Sequence, residues 1–93
     1  MKAIVSGHVV AESDDIVDCD GYPYFPNASV KTGWLEKAPK TESDLECPHG
    51  VQFYDVVVEG ERHTRAAWRY EKPRPEMRKV ADRFSFWEDV EIR

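Results

Sequence analysis

The sequence is poor in cysteine and lacks any long apolar run, and these two deficits limit the class of protein. Only Cys19 and Cys47 are cysteines among 93 residues, fewer than a secreted domain of this size usually carries. No stretch reaches the roughly 20 apolar residues of a membrane-spanning helix. The amino-terminal run stops at Gly7 and His8, too early for a signal peptide. We therefore expect a cytoplasmic protein with no membrane partner.

An excess of positive charge is also lacking, since 13 Lys and Arg against 18 Asp and Glu give a formal net charge of -5. A nucleic-acid partner requires a basic surface to meet phosphate, so none is expected. The charge is unevenly spread: residues 1–61 hold four basic and twelve acidic side chains, and residues 62–83 hold eight basic and three acidic. The basic segment could hold a small anion, but pairing with the acidic body is the more common arrangement.

Clustered metal ligands are missing as well. A structural zinc site commonly takes two close cysteine pairs, whereas Cys19 and Cys47 stand alone in the sequence. The three histidines, His8, His49 and His63, show no ligand spacing relative to them. The sequence predicts no metal site and no cofactor.

What the chain does contain is aromatic and β-branched runs separated by turn signals, which predict a β domain. The clearest strand is Val51 to Val58, and Glu61 to Tyr70 is expected to return after a Glu59-Gly60 turn. A period of two predicts an inward face and an opposite face that points outward or toward a cleft. The inward set is Thr64, Ala66, Trp68 and Tyr70, and the other set is His63, Arg65, Ala67 and Arg69.

Shorter elements are predicted around this hairpin. In chain order they are a hairpin of residues 8–12 and 16–19, a turn at 20–23, one helical turn at 27–30, a strand at 34–36, a loop at 37–46, a short helix begun by Pro75 and ending at Arg83, and closing strands at 84–87 and 90–92. We expect a single domain over residues 1–93, mainly β and antiparallel, with one short carboxy-terminal helix.

An ordered set of motifs points to a known family. They are Tyr24-Phe25-Pro26, Cys47-Pro48-x-Gly50, Tyr54, Ala66-Ala67-Trp68-x-Tyr70 and the aromatic end at Phe86. Together they resemble the domain-of-unknown-function 427 family, whose alternative label names a nucleotidyltransferase. The resemblance implies a small β-tent-like fold, similar to methionine sulfoxide reductase B, and no established activity. Two positions depart from the family pattern: His49 stands where Lys is usual, and Arg65 where Asp is frequent.

The leading functional hypothesis is a pocket for a small planar or anionic ligand. Buried tyrosine hydroxyls need partners and therefore suit the wall of a site, and arginine or histidine beside rings can bind an attached anion. The pocket is expected between residues 24–26, 47–50 and 61–70. The expected ligand-binding residues are Tyr24, His49, Gly50, Tyr54, His63, Arg65, Trp68 and Tyr70. The competing interpretation is that these rings simply form the core.

Three other functions remain open. Cys47 and His49 could serve as nucleophile and base, although residues two apart seldom meet in the required geometry. Asp18 and Asp20 could hold magnesium for nucleotidyl transfer, but no glycine-rich helix start follows them. A protein–protein interaction module using the basic segment is the third. Since an exposed edge strand can pair with a copy of itself, we expect a monomer or weak homodimer.

Overall fold

The computed structural model describes residues 1–93 and contains nine short strands. The strands are β1 (Lys2–Val5), β2 (His8–Glu12), β3 (Val17–Cys19), β4 (Tyr22–Pro26), β5 (Leu35–Lys37), β6 (Val51–Val58), β7 (Glu61–Tyr70), β8 (Arg83–Phe86) and β9 (Glu91–Ile92). They form a six-stranded sheet in the order β3-β4-β8-β7-β6-β5 and a three-stranded sheet in the order β2-β1-β9. All pairings are antiparallel, which confirms the predicted mainly β, antiparallel class.

The hairpin of β6 and β7 forms as predicted around Glu59 and Gly60. Val58 pairs with Glu61, and φ is 53° at Glu59 and 79° at Gly60. Two consecutive positive φ values define the type I′ turn, whose twist matches that of the strands it joins. Glycine adopts such angles without steric cost, which explains its place at the second position.

The predicted hairpin of residues 8–12 with 16–19 is wrong. Strand β2 pairs instead with β1, and β3 pairs with β4. The connecting turns are Ser6-Gly7 and Asp20-Gly21, and all four of these residues have positive φ. Because the Asp20-Gly21 turn has only two residues, the rest of the predicted turn, Tyr22 and Pro23, belongs to β4.

The helical segments are all short. The helical turn predicted at 27–30 is confirmed as a 3-10 helix over Asn27–Ser29, and a second 3-10 helix spans Thr32–Trp34. Residues Glu42–Glu46, within the predicted loop, form the helix α1. Thr41 begins α1 with a capping box, since its side chain accepts from the Asp44 N–H while the Asp44 carboxylate accepts from the Thr41 N–H. The predicted carboxy-terminal helix is a 3-10 helix over Pro75–Val80. No helix of the protein combines the length and apolarity needed to cross a bilayer.

The large sheet buries side chains on both faces. One face packs against the small sheet in the main core, which contains Ala3, Val5, Val10, Phe25, Tyr54, Val56, Phe84 and Phe86 among its buried members. The second face carries a smaller buried cluster of Cys19, Tyr24, Val51, Trp68 and Val80. Phe53, Tyr70 and Trp87 pack against this smaller cluster but stay partly exposed. The second face is therefore the one with apolar surface still open.

A bulge in β7 shifts the register of the central hairpin. Val56 pairs with His63 but Tyr54 pairs with Ala67, so residues 64–66 all stand opposite Asp55. This bulge contains Arg65 at a φ of 53°, a left-handed conformation uncommon for residues other than glycine. Because two extra residues are inserted, the register changes by two. Phe53 lies opposite Trp68 rather than opposite Ala66.

Candidate ligand-binding site

The open part of the second face forms an aromatic hollow of about 160 Å³. Its lining is entirely hydrophobic and consists of Tyr22, Val51, Phe53, Trp68, Tyr70 and Trp87. Four of these residues are brought together by the register shift, since it sets Trp68 and Tyr70 of β7 opposite Phe53 and Val51 of β6. Strand β4 contributes Tyr22 at its first position. Strands β4, β6 and β7 thus form one apolar surface together with Trp87, the residue after β8.

The rings of the aromatic hollow support one another. The Trp68 ring centroid lies 5.0 Å from that of Tyr22, with the planes at 87°, and 5.3 Å from that of Trp87, with the planes at 70°. Phe53 stacks on Trp87 at a centroid distance of 5.8 Å. Edge-to-face and offset-stacked pairs are the favourable arrangements of aromatic rings. The walls therefore hold their positions without a ligand.

Hydrogen bonds fix both indoles of the aromatic hollow. Trp68 Nε1 donates to the hydroxyl of Tyr24 at 3.2 Å, and Trp87 Nε1 donates to the main-chain carbonyl of Arg65 at 2.6 Å. Burial raises the pKa of Tyr24 far above its usual value, and burial also raises the pKa of Tyr70. Both phenols therefore remain neutral at physiological pH.

A polar hollow of about 420 Å³ lies where β8 ends beside β7. It is lined by Arg62, His63, Thr64, Arg65, Trp87, Glu88 and Asp89. The Trp87 N–H makes the last main-chain bond to β7, donating to the Ala66 carbonyl. Residues 87–90 then turn, with Val90 N–H donating to the Trp87 carbonyl. Trp87 lines both hollows, so the aromatic hollow and the polar hollow adjoin at this residue.

The two arginines of the polar hollow are already paired with carboxylates. Arg65 donates to both oxygens of Asp44 at 2.8 and 3.0 Å. Its guanidinium lowers the pKa of Asp44, a carboxyl group that is only 4% exposed. Arg62 donates to Asp55 at 2.7 Å and to Glu36 at 3.1 Å. For these two arginines, the predicted pairing between the basic segment and the acidic body is confirmed.

His63 is held between two carboxylates. Its Nδ1 lies 3.0 Å from Asp89 Oδ2, and its Nε2 lies 3.7 Å from Glu61 Oε2. A carboxylate can only accept, so the bond to Asp89 requires the proton on Nδ1 and leaves a lone pair on Nε2 of the neutral ring. The side chain is 10% exposed, and Nε2 is buried with no hydrogen-bond partner.

Four of the residues expected to bind a ligand gather around the aromatic hollow. Trp68 and Tyr70 line it. Tyr24 is buried, with its ring stacked at 6.4 Å from that of Tyr70. His49 contacts Tyr70 edge-on, with ring centroids 5.6 Å apart. Gly50 lies one residue further on, but its N–H donates to the Cys47 carbonyl and closes the turn.

The other expected residues lie elsewhere. Tyr54 belongs to the main core, with its ring centroid 5.2 Å from that of Phe84. His63 and Arg65 line the polar hollow. Arg69, expected to stand beside them, has its guanidinium 5.6 Å from the Phe84 ring centroid. The predicted faces of β7 are therefore only partly confirmed. Ala66 and Trp68 are buried as expected, whereas His63 and Ala67, expected on the opposite face, are buried as well.

Four of the six residues that line the aromatic hollow are not predicted from the sequence: Tyr22, Val51, Phe53 and Trp87. Tyr22 was assigned to a turn, and the partner of Phe53 depends on the bulge at Arg65. A usable signal existed for Trp87, since it follows β8 directly in an aromatic run. The exposed carboxylates Glu88 and Asp89 were likewise not anticipated at the site.

The catalytic candidates do not form an assembled centre. No hydrogen bond joins Cys47 to His49, and His49 Nδ1 accepts from the Arg74 N–H at 3.0 Å. Asp18 and Asp20 are both exposed. No group of three or more His, Cys, Asp or Glu side chains is placed to hold a metal ion.

Comparison with protein-family models gives a match over residues 1–93 to a family described as Domain of unknown function (DUF427). A comparison with curated proteins finds no match. The family match covers every element of both sheets and all residues of the two hollows.

Proposed function

We propose that this chain, which belongs to the DUF427 family over its whole length, is a binding domain for a small molecule carrying one planar ring. The ring enters the aromatic hollow, and its substituent extends past Trp87 into the polar hollow. The observation that carries this proposal is a set of five aromatic side chains arranged around open space. A ring buried there would gain aromatic contacts on several sides.

The size of the aromatic hollow supports a single ring. An apolar cavity of about 150 Å³ in another protein takes up one benzene molecule, and the aromatic hollow measures about 160 Å³. Pockets for drug-sized ligands usually span about 300 to 1,000 Å³. The aromatic hollow alone is therefore too small for a fused, multi-ring compound, and a larger ligand must use the polar hollow as well.

The exposure of Tyr22 supports the same function. Tyr22 is 37% exposed and is one of three large hydrophobic residues on the surface, together with Met1 and Leu45. A bound ring would cover part of Tyr22. Because the neighbouring rings are already held by aromatic contacts and hydrogen bonds, binding would order few side chains, and a preorganised site loses less entropy.

The test uses the indole N–H signals of Trp68 and Trp87 as reporters in an NMR titration with phenol, a compound of one ring. We expect saturable shifts of both signals in the wild type. Tyr22→Ser should weaken binding about three- to tenfold, the effect of losing one aromatic contact and its buried area. The matched control is Leu45→Ser, because Leu45 is 71% exposed and lies outside both hollows. Unchanged indole signals at millimolar ligand, or equal effects of the two substitutions, would contradict the proposal.

We also propose that the domain works in the cytoplasm as a monomer or weak dimer. Both cysteines are free thiols, a state that a reducing compartment maintains. Recovery of the protein from cells with either thiol oxidised would argue against this location. Sedimentation at micromolar concentration measures the oligomeric state directly, and a tight dimer would contradict the proposed monomer or weak dimer.

A further inference from the structure

The turn that contains His49 and Gly50 adjoins one end of the aromatic hollow. The His49 ring contacts the Tyr70 ring edge-on, with centroids 5.6 Å apart. Gly50 directly precedes Val51, which lines the hollow and pairs with Tyr70 across the central hairpin. Trp87 and the polar hollow lie at the other end of the aromatic hollow. A group attached to a bound ring at the Tyr70 end would therefore meet this turn.

A main-chain hydrogen bond fixes the proton of the His49 ring. Nδ1 of His49 accepts from the Arg74 N–H at 3.0 Å. Nδ1 therefore holds a lone pair, and the proton of the neutral ring must be on Nε2. Nε2 makes no hydrogen bond within the protein, and His49 is partly exposed. This nitrogen is thus a donor open to a ligand, whereas Nε2 of His63 is buried.

Two free cations lie beside this donor. The Lys72 N–H donates to the His49 carbonyl at 3.0 Å, and the Lys72 side chain begins against Gly50, where an added Cβ would lie 3.4 Å from Lys72 Cβ. Lys72 and Arg74 are both exposed, and neither pairs with a carboxylate. The adjacent Glu71 is already bound by two other lysines. The positive charge of Lys72 and Arg74 is therefore available to an anion.

The arginines of the polar hollow differ in this respect. The guanidinium of Arg65 is bound to both oxygens of Asp44, and that of Arg62 is bound to two other carboxylates. A guanidinium engaged in this way has little capacity to bind a second anion. An anionic group on the ligand would therefore bind at the Tyr70 end of the aromatic hollow rather than in the polar hollow.

We propose that the ligand carries a carboxylate, which accepts a hydrogen bond from His49 Nε2 and pairs with Lys72 while the ring lies against Tyr70. An ionised carboxylate only accepts and has two oxygens, so one oxygen can serve each donor. Hydrogen bonds to an ionised group are stronger than those between neutral groups. The inference rests on the proposed function and specifies the ligand class. A further substituent on the opposite edge of the ring can still reach the polar hollow.

The experiment compares three compounds that share a phenyl ring and a short chain: 3-phenylpropionate, the neutral 3-phenylpropanamide and the cationic phenethylamine. Affinities are measured by NMR titration at pH 7. We expect the carboxylate to bind about three- to tenfold more tightly than the amide, and the amine to bind most weakly. Lys72→Gln should lower the affinity for the carboxylate about two- to fivefold, as for an exposed ion pair, and leave that for the amide unchanged. The control is Lys31→Gln, which alters an exposed lysine that forms no ion pair and lies outside both hollows.

The state of His49 can be read without a substitution. Long-range proton–nitrogen correlation spectra of isotope-labelled protein distinguish the protonated from the unprotonated ring nitrogen. We expect the proton on Nε2 in the free protein, and we expect 3-phenylpropionate, but not phenethylamine, to shift the Nε2 signal. A proton on Nδ1 of the neutral ring would overturn the inference.

The outcomes separate this inference from the proposed function. If the amide or the amine binds as tightly as the carboxylate, the carboxylate inference is overturned and the ring-binding function stands. The same holds if Lys72→Gln leaves the affinity for the carboxylate unchanged. If none of the three compounds binds, both the inference and the proposed function fail.

Discussion

Trp87 donates its indole N–H to the main-chain carbonyl of Arg65 at 2.6 Å. This bond joins the turn after β8 to the bulge of β7. The N–H of Arg65 donates to Asp55 on β6, and its guanidinium binds Asp44 on α1. Arg65, in a left-handed conformation, thus bonds to β6, to α1 and to the turn after β8. The last of these bonds holds Trp87, which lines both hollows. Strained backbone held by its surroundings is common at functional sites.

Tyr24→Phe should destabilise the protein by about 1 to 3 kcal/mol. The substitution leaves the ring in place but removes the hydroxyl that accepts from Trp68 Nε1, and a buried donor without a partner carries this cost. Urea denaturation followed by tryptophan fluorescence measures the change. Tyr22→Phe is the control, because the Tyr22 hydroxyl forms no hydrogen bond, and it should leave stability unchanged. Equal losses in both variants would contradict the role assigned to Tyr24.

Asp44→Asn should reduce stability at neutral pH by about 1 to 2 kcal/mol, because it removes the charge of a buried partner of Arg65. Arg65 lowers the folded-state pKa of Asp44 below its ordinary value of 3.8. The stabilisation is therefore complete above about pH 4 and is lost as the pH falls further. Urea denaturation at pH 7, 5 and 3 should show the difference between wild type and variant shrinking at the lowest pH. A difference that stays constant down to pH 3 would contradict this.

Glu59→Asn should stabilise the protein by about 0.5 to 1 kcal/mol. Glu59 has a φ of 53°, which asparagine tolerates better, and Asn-Gly is the preferred type I′ pair. Gly60→Ala should act in the opposite direction. A Cβ at Gly60 would meet no atom within 4 Å, so any loss would report the strain of its positive φ alone. Thermal and urea unfolding of both variants test the pair of expectations.

Cys47 should be alkylated by iodoacetamide before Cys19. Cys19 is only 6% exposed and its thiol contacts Met77, whereas Cys47 is partly exposed. The rate at Cys47 should not exceed that of a cysteine in an unstructured peptide, because no hydrogen bond to His49 activates it. Peptide mapping by mass spectrometry gives both rates. A Cys47 rate far above the peptide value would favour the enzymatic hypothesis instead.

The central hairpin was predictable because its signals are local. A β-branched run, a Glu-Gly pair and a second run fix β6, the turn and β7. The helix α1 was also within reach, since Thr41 and Asp44 have the spacing of a capping box, but the surrounding polar composition favoured a loop. The sequence does not predict the pairing of β1 with β2, because Gly7 marks the end of an apolar run there, whereas in the structure Ser6 and Gly7 form the turn that joins the two strands.

The candidate site was only partly predictable because its geometry depends on a bulge. Nothing in the local sequence marks Arg65 for a positive φ, which tertiary contacts with Asp44 and Asp55 stabilise. Without that bulge, pairing from Gly60 would place Trp68 opposite Val51. The sequence thus predicts Trp68 and Tyr70 as aromatic site residues, but not the pairing of Phe53 with Trp68 or the burial of His63 and Ala67.

Both hollows are open at the surface, and the residues that line them belong to strands and to the turn after β8. A ligand can reach the rings without any part of the chain moving aside. Exchange between free and bound protein should therefore be rapid, and titration spectra should show one averaged signal per indole rather than two separate ones. Such a site would follow the concentration of its ligand almost immediately, as a sensor or a buffer does, and would not retain it.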